Sequence, residues 1–541
     1  MKNSITQLFT LMTVGVTAFS CTSPVKEQKR PNILFIMSDD HGYQAVSAYG
    51  HGLNQTPNID RLAKEGAIFT RACVTNSLCA PSRAVMLTGK HSFKNGKADN
   101  VQPFDWNQEN FPKLLQQAGY QTALIGKIHL AGLPQGFDYS AVLPGQGIYY
   151  NPDFIVNGKK EQIHGYVSDI TTHLALDWLK HRNPDKPFCL LYHQKAPHRP
   201  WMPAEKYYKK YTKMKFKEPE TLFDDYQGRG TAAKTAEMNI LKNMNWAGDL
   251  KIYPDAMEKL GISETAPGDI NAFRYNTERM TPEQKAAWDS VYRPMNEAFI
   301  KIYPGMSRED QMHWRYQRYM QDYLACIAAV DEGVGEVLDY LDKNGLADNT
   351  IVVYTSDQGF YLGEHGWFDK RFMYEESLRT PLLVRYPKEI KPGTKIEKLV
   401  QNLDFAPTFL DYAGVKIPSD MQGMSFRKLV SGESSEWRNA IYYTYYEYPA
   451  VHMVKRHYGI RTERYKLIHF YYDIDEWELY DLQEDPHEMH NVYNDPAYAD
   501  IQKKLHEQLD QLRKKYGDSD ENDQHFLKAY LDAKNSKRNG K

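Results

Sequence analysis

Short apolar runs rich in β-forming residues alternate with helical stretches through about the first 400 residues of the chain. The runs cover residues 33–37, 122–125, 188–192, 351–355 and 382–385. Apolar residues recur at helical spacing in residues 168–179, 323–341 and 405–413. Strands that alternate with helices are typical of a sheet covered by helices on both faces. The pattern predicts an α/β fold with a mostly parallel central sheet.

Two regions depart from this pattern. Residues 204–315 are rich in Lys, Tyr, Met and Pro without a clear strand, so we expect a largely helical insertion in the main domain, residues 30–430. One hypothesis is that the insertion forms part of a substrate lid. Short strands are then expected in residues 440–446, 458–461, 465–471 and 477–480, followed by an amphipathic helix over residues 501–516. We therefore predict a small antiparallel sheet-and-helix subdomain over residues 431–520 and a polar, frayed tail over residues 521–541.

The N-terminus has the pattern of a signal peptide over residues 1–21, with a charged start and an apolar stretch too short to span a bilayer. Cys21 follows Ala-Phe-Ser at residues 18–20, which is similar to the lipidation site of bacterial lipoproteins. Ordinary cleavage nearby, with Cys21 incidental, is the alternative. No later run approaches the length of a membrane span. We expect an exported bacterial protein in the periplasm or held at the cell envelope by an N-terminal lipid.

Charge and cysteine content narrow the function. Lys and Arg total 67 against 69 for Asp and Glu, and the net charge of -2 gives no overall field that would attract nucleic acid. Local charges must therefore hold any anionic substrate. Beyond Cys21 the chain has cysteines at positions 73, 79, 189 and 326, which do not resemble a disulfide framework. Cys189 and Cys326 lie in apolar runs and are expected to be buried thiols.

Two predicted strands end in nearly the same phrase. Residues 35–42 read Phe-Ile-Met-Ser-Asp-Asp-His-Gly, and residues 353–359 read Val-Tyr-Thr-Ser-Asp-Gln-Gly. Ligands of parallel sheets bind at the carboxyl ends of strands, so Asp39, Asp40 and Asp357 are expected to converge there. Repulsion among them would be relieved by a cation, and hard oxygen ligands suit Ca²⁺ better than Zn²⁺. The alternative is that these aspartates only form turns or cap helices.

The segment over residues 77–90, Ser-Leu-Cys-Ala-Pro-Ser-Arg-Ala-Val-Met-Leu-Thr-Gly-Lys, is the most specific signal in the chain. Pro81 suits the first turn of a helix and Gly89 suits the position after its end, which places Cys79 at the helix N-terminus. Backbone N–H groups and the helix dipole favour an anion there. Arg83 shares the helix face with Cys79 and adds a positive charge. The alternative is a capped helix with a buried Cys and a surface Arg.

The Cys-x-Pro-Ser-Arg sequence followed by Leu-Thr-Gly-Lys resembles the signature of type I sulfatases, and the resemblance extends from residue 30 to about residue 516. It implies an alkaline-phosphatase-like α/β sandwich with a small C-terminal subdomain. It also implies that a maturation enzyme oxidises Cys79 to formylglycine during export. The implied ligands of one Ca²⁺ ion are Asp39, Asp40, Asp357, Gln358 and the modified Cys79. Many members have Asn, and some have His, where this chain has Gln358.

Further matches to the family carry the implied catalytic residues. Lys127 and His129 lie in a Gly-Lys-x-His sequence, and His198 lies in a Pro-His segment that follows the strand at residues 188–192. Lys370 matches a second catalytic Lys. Taken alone, these would be solvated polar residues. In the implied mechanism Arg83 and both lysines hold the sulfate, His198 with help from Lys370 protonates the leaving alcohol, and His129 takes a proton from the hydrated aldehyde.

The substrate is suggested by the Asp-Lys-Arg sequence at residues 369–371, with Tyr-Glu at residues 374–375 and Pro-Leu-Leu-Val-Arg at residues 381–385. This resembles the N-acetylglucosamine-6-sulfatase branch and implies removal of 6-O-sulfate from terminal N-acetylglucosamine of heparan-type or mucin-type glycans. Asp369 and Arg371 are expected to bind sugar hydroxyls. His452 or His457 is expected to complete the pocket, unless both are exposed loop residues.

Three other functions remain open at this point. The enzyme could remove sulfate from another sugar, or it could hydrolyse phosphate or phosphonate esters as other members of the superfamily do. Two-zinc phosphatases, however, rely on histidine ligands that the Asp39-Asp40 and Asp357-Gln358 pairs do not provide. The third is a catalytically silent glycan-binding lipoprotein, in which the presence of Cys79, Lys127, His129, His198 and Lys370 would be a coincidence.

Overall fold

The computed structural model describes Met1, residues 30–433 and residues 436–539. The predicted signal peptide, apart from Met1, and the proposed lipidation site at Cys21 lie outside the described residues. Among the described residues, the four cysteines at positions 73, 79, 189 and 326 are free and buried, and no helix is both long enough and apolar enough to cross a membrane.

The described residues contain eighteen strands, which form one large sheet and three small ones. The strands are β1 (Asn32–Ser38), β2 (Ala67–Phe69), β3 (Ala72–Cys73), β4 (Gln121–Gly126), β5 (Tyr139–Val142), β6 (Asp153–Val156), β7 (Lys159–Gln162), β8 (Phe188–His193), β9 (Thr350–Ser356), β10 (Tyr361–Leu362), β11 (Phe368–Asp369), β12 (Leu382–Arg385), β13 (Thr394–Ile396), β14 (Val400–Gln401), β15 (Ala440–Tyr445), β16 (His457–Thr462), β17 (Tyr465–Phe470) and β18 (Glu476–Asp481).

The α-helices surround these sheets. They are α1 (Ile59–Glu65), α2 (Cys79–Thr88), α3 (Ser92–Asn95), α4 (Phe111–Gln117), α5 (Val167–His181), α6 (Glu205–Tyr211), α7 (Thr231–Thr235), α8 (Ile240–Asn243), α9 (Pro254–Leu260), α10 (Asp269–Glu278), α11 (Pro282–Ile302), α12 (Arg308–Lys343), α13 (Glu375–Leu378), α14 (Phe405–Tyr412), α15 (Arg427–Ser431), α16 (Ala499–Tyr516) and α17 (Asp520–Asn539).

The large sheet has ten strands in the order β13-β2-β12-β9-β1-β8-β4-β5-β6-β7. Its centre, from β9 to β5, is parallel, whereas β12 and β2 on one side and β6 and β7 on the other add antiparallel pairs. All five apolar runs are strands of this sheet. The expected mostly parallel α/β sheet is confirmed, and the antiparallel pairs lie toward its two sides.

Both faces of the central strands are buried, which explains their continuous apolar sequence. Along β1, Leu34 and Ile36 belong to the core that contains α5 and α12. Their neighbours Ile33, Phe35 and Met37 belong to the opposite core, which contains α2, α4 and α14. Successive side chains of a strand point to opposite faces, so one apolar strand supplies both layers of the sandwich.

The region expected to be a helical insertion contains α6 to α11 and the start of α12. From residue 194 to residue 349, all of which are described, the chain forms helices and loops but no strand. Aromatic packing ties these helices together, with the Trp288 and Tyr292 rings 4.0 Å apart and Tyr208 against both. The long helix α12 carries this region into the main core.

The C-terminal part contains the expected small antiparallel sheet. Its strands pair in the order β15-β16-β17-β18, and α16 packs on three of them. Leu505 and Leu509 are buried against Tyr442, Ile460 and Leu467. The amphipathic spacing read from the sequence thus covers one face of the sheet.

The expectation of a frayed tail over residues 521–541 is wrong for its described part. Residues up to Asn539 form α17, in which Phe526 and Tyr530 are 7% and 3% exposed. These aromatic residues are four positions apart and therefore lie on one helix face. A mostly polar composition hid a short apolar stripe that docks on the C-terminal subdomain.

Candidate active site

The candidate site lies where the carboxyl ends of four neighbouring strands meet. Asp39 and Asp40 follow β1, and Asp357 follows β9, its parallel partner. Lys127 follows β4, and the loop after β8 carries His198. Because β9, β1, β8 and β4 are consecutive in the sheet, their parallel register brings these side chains to one edge.

Cys79 is the first residue of α2 and is 1% exposed. Its Sγ lies 3.9 Å from Asp40 Oδ1 and 3.7 Å from Gln358 Nε2. Burial raises the pKa of the thiol well above its ordinary value, and Lys370 offsets this only in part. A protonated, buried thiol is a poor nucleophile.

Arg83 lies on the same helix as Cys79 and is 1% exposed. Its Nε lies 3.0 Å from Asp357 Oδ2, and its NH2 lies 3.6 Å from Asp39 Oδ1. Its NH1 donates a hydrogen bond to the Lys127 carbonyl at 2.6 Å. Of the alternative, a capped helix with a buried Cys and a surface Arg, the surface Arg is therefore wrong, whereas Cys79 is indeed buried.

Two lysines pair with the aspartates that follow β1. Lys127 forms an ion pair with Asp39, and Lys370 Nζ donates to both carboxylate oxygens of Asp40 at 2.7 Å. Burial alone would raise the pKa of Asp39, but Lys127, with a smaller contribution from Arg83, holds it well below its ordinary value. At Asp40, by contrast, burial outweighs Lys370 and raises the pKa.

The oxygen atoms of this cluster fit a hard divalent cation. Asp39, Asp40 and Asp357 each offer an oxygen within 4.8 Å of the others. Asp39 Oδ1 and Gln358 Oε1 are buried and accept no hydrogen bond from any described residue. Burial and the charge of Asp39 raise the pKa of Asp357 to about 7. A cation would satisfy the two lone oxygens and favour the ionised carboxylates, as Ca²⁺ does with such ligands.

The site holds two histidines that burial keeps neutral. His198 Nε2 lies 3.8 Å from Asp40 Oδ2, and its Nδ1–H donates to the Arg199 carbonyl at 2.7 Å. The Nδ1 of His129 is buried without a partner among the described residues. Burial, reinforced by the charge of Lys127, lowers the pKa of both imidazoles well below the ordinary value.

Backbone strain accumulates at the same place. Asp40, His129, Asp369 and Arg371 have φ values of 64°, 55°, 76° and 113°. Residues other than glycine rarely adopt this left-handed region, and each such residue costs of order 1–3 kcal/mol. The surrounding packing therefore holds these four residues in conformations that the chain alone would avoid.

A second group of polar side chains lies beside Lys370. Asp369 accepts a hydrogen bond from Arg371, and its Oδ2 lies 3.0 Å from His452 Nε2. Arg199 NH1 is 3.5 Å from the same Oδ2, while Asp249 holds the Arg199 guanidinium through both oxygens at 3.0 and 2.5 Å. Asp369, Arg371 and His452, three of the four residues expected to bind the sugar, are thus joined in one network, with Arg199 and Asp249 as additional members.

The structure does not bring His457 to this network, so its expected place in the pocket is wrong. His457 is fully buried in β16 and stacks on Tyr443 and Tyr445 at 5.5 and 5.1 Å. Its Nδ1–H donates to the Lys455 carbonyl at 2.8 Å. His452 is buried too, so neither histidine is the exposed loop residue of the alternative reading.

Four residues near the site carried no clear sequence signal. Gln146 contacts the ammonium of Lys127, and Arg199 and Asp249 support Asp369. Lys195 is 1% exposed, with Nζ 4.7 Å from the Tyr149 ring centre; burial, reinforced by Lys127, lowers its pKa to about 7. Arg199 directly follows His198 in sequence, which is the only hint that the sequence offered for any of the four.

A sheet edge that gathers three carboxylates, three buried cations and the N-terminus of a helix defines a hydrolase of anionic esters. The chain belongs to the sulfatase family. The family model described as Sulfatase matches residues 31–415, and the model described as N-sulphoglucosamine sulphohydrolase, C-terminal, matches residues 363–515.

Individual relatives agree with this assignment. An N-acetylglucosamine-6-O-sulfatase of Bacteroides thetaiotaomicron is 51% identical over 508 residues, which cover 93% of this chain and 89% of that protein. An N-acetylglucosamine-6-sulfatase of Capra hircus is 28% identical over 449 residues, 78% of this chain and 67% of that protein. A structure solved in complex with its substrate, D-glucosamine-2-N,6-O-disulfate, covers 91% of this chain and 99% of its own, with 51% identity and a TM-score of 0.87. The expected family and fold are confirmed.

Proposed function

We propose that this protein hydrolyses the 6-O-sulfate ester of N-acetylglucosamine, or of glucosamine with another N-substituent, in glycans of the heparan or mucin type. The observation that carries the proposal is that Asp369 and Arg371 directly flank Lys370 in the sequence. Arg371 donates a hydrogen bond to Asp369, while Lys370 donates one to Asp40 in the aspartate cluster. Three consecutive residues thereby connect the proposed sulfate pocket to the proposed sugar pocket. The relatives named as acting on 6-sulfated glucosamine support the same substrate.

The sulfate would be held by three buried cations. Arg83, Lys127 and Lys370 balance the charges of the three aspartates, so the pocket is close to neutral by itself. Arg83 NH2 donates no hydrogen bond to any described residue and is therefore available to a sulfate oxygen. A buried cationic donor fixed in advance stabilises charge on sulfate oxygens at little reorganisation cost.

The site also fits the two groups that the family implies. Asp39, Asp40, Asp357, Gln358 and the modified residue 79 would hold Ca²⁺, which would supply positive charge beside the sulfate. Hydrated formylglycine at residue 79 would supply an oxygen nucleophile in place of a protonated thiol. A maturation enzyme would have to act on Cys79 before it is buried to the 1% exposure seen in the fold.

Proton transfer would fall to the two histidines and Lys370. A neutral His129 with a free Nδ1 suits the role of proton acceptor. His198 must gain a proton at Nε2 to serve as the acid, and an anionic substrate beside it favours that protonation. Burial alone would lower the pKa of Lys370, but Asp369 and Asp40 raise it, so Lys370 stays charged and supports His198 as the donor.

We also propose that the protein acts outside the cytoplasm, in the periplasm or at the cell envelope of a bacterium. The signal-peptide pattern of residues 1–21 supports export, and Cys21 is the proposed lipid attachment site. Glycosaminoglycan fragments and mucin glycans would reach an enzyme located there. We further propose that the chain divides into a catalytic domain over residues 30–430 and a C-terminal subdomain over residues 431–520.

A screen of sulfated monosaccharides tests the proposed substrate. We expect sulfate release from 6-sulfated N-acetylglucosamine at a kcat/KM at least about tenfold above that for 6-sulfated galactose or 2-sulfated uronates, because binding of the wrong sugar leaves buried polar groups of the pocket unpaired. Nitrophenyl sulfate and nitrophenyl phosphate, assayed in parallel, separate the sulfatase from a phosphate-ester hydrolase. Preference for another sugar, or for the phosphate ester, would refute the proposal.

A further inference from the structure

The loop that carries His452 is strained and partly exposed. This segment, the His452 loop (residues 447–453), is part of the connection between β15 and β16. His452 and Met453 have φ values of 69° and 49°, and Val451 is 62% exposed. A loop with two non-glycine residues in the left-handed region needs outside contacts to hold that conformation. The position of His452 beside Asp369 therefore depends on what fixes this loop as well as on Glu237, whose backbone carbonyl and N–H each form a hydrogen bond of 2.7 Å with His452.

Helix α17 contacts the middle of the loop. The Pro449 carbonyl accepts hydrogen bonds from Tyr530 Oη at 3.0 Å and from Lys534 Nζ at 2.7 Å. Pro449 lies three residues before His452. Tyr530 is 3% exposed, and its pKa is raised by burial and by the charge of Glu447, at the start of the loop. Two side chains of one helix thus hold a single carbonyl within the loop.

The same helix also contacts residues that flank the His452 loop on both sides. Phe526 packs on Tyr446, with ring centres 5.3 Å apart, at the residue before the loop. Arg456, which is fully buried beyond the loop, donates to the Asp523 carbonyl at 3.0 Å and to the Tyr446 carbonyl at 2.5 Å. One face of α17 therefore contacts the middle of the His452 loop and residues that flank it on both sides.

The start of the loop has a separate anchor on the nucleophile helix. The Glu447 carboxylate accepts a hydrogen bond from the Asn100 backbone N–H at 2.7 Å, and Asn100 Oδ1 accepts one from the N–H of Ala80 at 3.3 Å. Ala80 directly follows Cys79. Loss of the α17 contacts to Pro449 should therefore loosen the part of the loop around His452 and leave the nucleophile helix in place.

We propose that α17 is a specificity-determining brace of the enzyme. Tyr530 and Lys534 are positioning residues that act through Pro449 on His452, and so on the sugar pocket, without a part in the sulfate chemistry. This inference rests on the proposed function, because the pocket next to Asp369 must bind a sugar for its shape to matter. It assigns a role in substrate selection to residues beyond 515, where the match to the C-terminal family model ends.

The test is the double variant Tyr530→Phe with Lys534→Met, made in the full-length enzyme. It removes both hydrogen bonds to Pro449 and keeps the aromatic packing. We expect kcat/KM for 6-sulfated N-acetylglucosamine to fall about tenfold, mainly through KM, while kcat/KM for nitrophenyl sulfate stays within about twofold. The matched control is Lys528→Met, which replaces an exposed residue of the same helix. It should leave kcat/KM unchanged for both substrates.

A second variant shows whether the effect passes through His452. In a His452→Ala background the double substitution should cause little further loss, since coupled residues are not additive. Equal losses on both substrates would mean general structural support, and no loss would mean no brace; either result overturns the inference. If the wild-type enzyme does not cleave 6-sulfated N-acetylglucosamine, the proposed function fails separately, and the same variants are then compared on the sulfated sugar that the enzyme prefers.

Discussion

The two halves of the candidate site are built in different ways. The half that would bind sulfate consists of side chains at the ends of β1, β4 and β9 and at the start of α2, and parallel register fixes their positions. The half that would bind the sugar combines Asp369 with Arg199, Asp249 and His452, which come from separate loops. The first half depends on the core of the fold, and the second on contacts between loops.

This difference implies a division of labour. Chemistry placed on a buried sheet can stay constant while loops alter which sugar is accepted, because loops tolerate change better than core strands. Substitutions in the sulfate half should therefore damage the hydrolysis of every substrate. Substitutions in the sugar half should damage the hydrolysis of sugar sulfates and spare small aryl sulfates.

Replacement of the proposed nucleophile should have the largest effect. Cys79→Ala should reduce kcat at least about 1,000-fold on both 6-sulfated N-acetylglucosamine and nitrophenyl sulfate, because no other group reaches the same position. Rates of sulfate release measure this. A variant that keeps a tenth of the activity on either substrate would place the nucleophile elsewhere.

Removal of calcium should come next and should also affect both substrates. Treatment with EGTA should lower kcat/KM about 100-fold or more, because the site then lacks the positive charge that would polarise the sulfate ester. Added Ca²⁺ should restore activity better than Mg²⁺, which demands stricter geometry. Ca²⁺ at about 100 times its Kd should also add about 2.7 kcal/mol to the free energy of unfolding. An enzyme indifferent to EGTA in both activity and Tm would contradict the proposed ligand set.

Asp369→Asn should separate the two halves. Loss of this charge weakens the contacts of residue 369 with Arg371 and His452. We therefore expect kcat/KM for the sugar sulfate to fall about 30-fold and kcat/KM for nitrophenyl sulfate to change by about threefold at most. Asp249→Asn makes the same chemical change one contact further away, because Asp249 acts on Asp369 only through Arg199. It should lower kcat/KM for the sugar sulfate by only about threefold, a tenth of the effect of Asp369→Asn. Equal damage to both substrates would show that the halves are not separate.

The smallest effect should come from the histidine that lies outside the site. His457→Phe keeps the aromatic stack but loses the hydrogen bond to the Lys455 carbonyl, so it should cost about 1 kcal/mol of stability at pH 8 and leave kcat/KM within about twofold. His452→Ala, the matched comparison, should instead lower kcat/KM for the sugar sulfate about tenfold. A kinetic effect of His457→Phe as large as that of His452→Ala would return residue 457 to the pocket.

The same variant has a defined pH dependence. Burial lowers the pKa of His457 to about 3, so below pH 6.5 the unfolded chain binds a proton that the folded protein does not. The wild type therefore loses about 1.4 kcal/mol per pH unit through this residue as pH falls from 6.5 toward 3. Tm of His457→Phe should fall less steeply with acidification than Tm of the wild type. Identical slopes would contradict the burial of a neutral imidazole.

The same contrast explains what could be predicted from the sequence. The strands, Cys79 and the aspartates after β1 and β9 carry local patterns, because register and helix capping act over a few residues. Asp249 carries no such pattern, since its partner Arg199 lies 50 residues away and their pairing depends on how the insertion folds. The sequence around His452 and His457 does not distinguish the two histidines. Only the pairing of β16 with its neighbouring strands directs the side chain of His457 into the core.

The docking of α17 could not be predicted from the sequence for the same reason. Its composition is mostly polar, and two aromatic residues at positions 526 and 530 decide that the helix docks. Their partners, Tyr446 and the Pro449 carbonyl, lie about 80 residues earlier in the chain. A pattern based on neighbours in sequence does not reveal a surface formed by distant residues.

The most direct test of the account is the mass of the peptide that contains residue 79, taken from enzyme purified from its native host and active on 6-sulfated N-acetylglucosamine. The account predicts that the active fraction carries an aldehyde at this position, with the unmodified thiol confined to inactive protein. Fully active enzyme with an intact Cys79 thiol would contradict it.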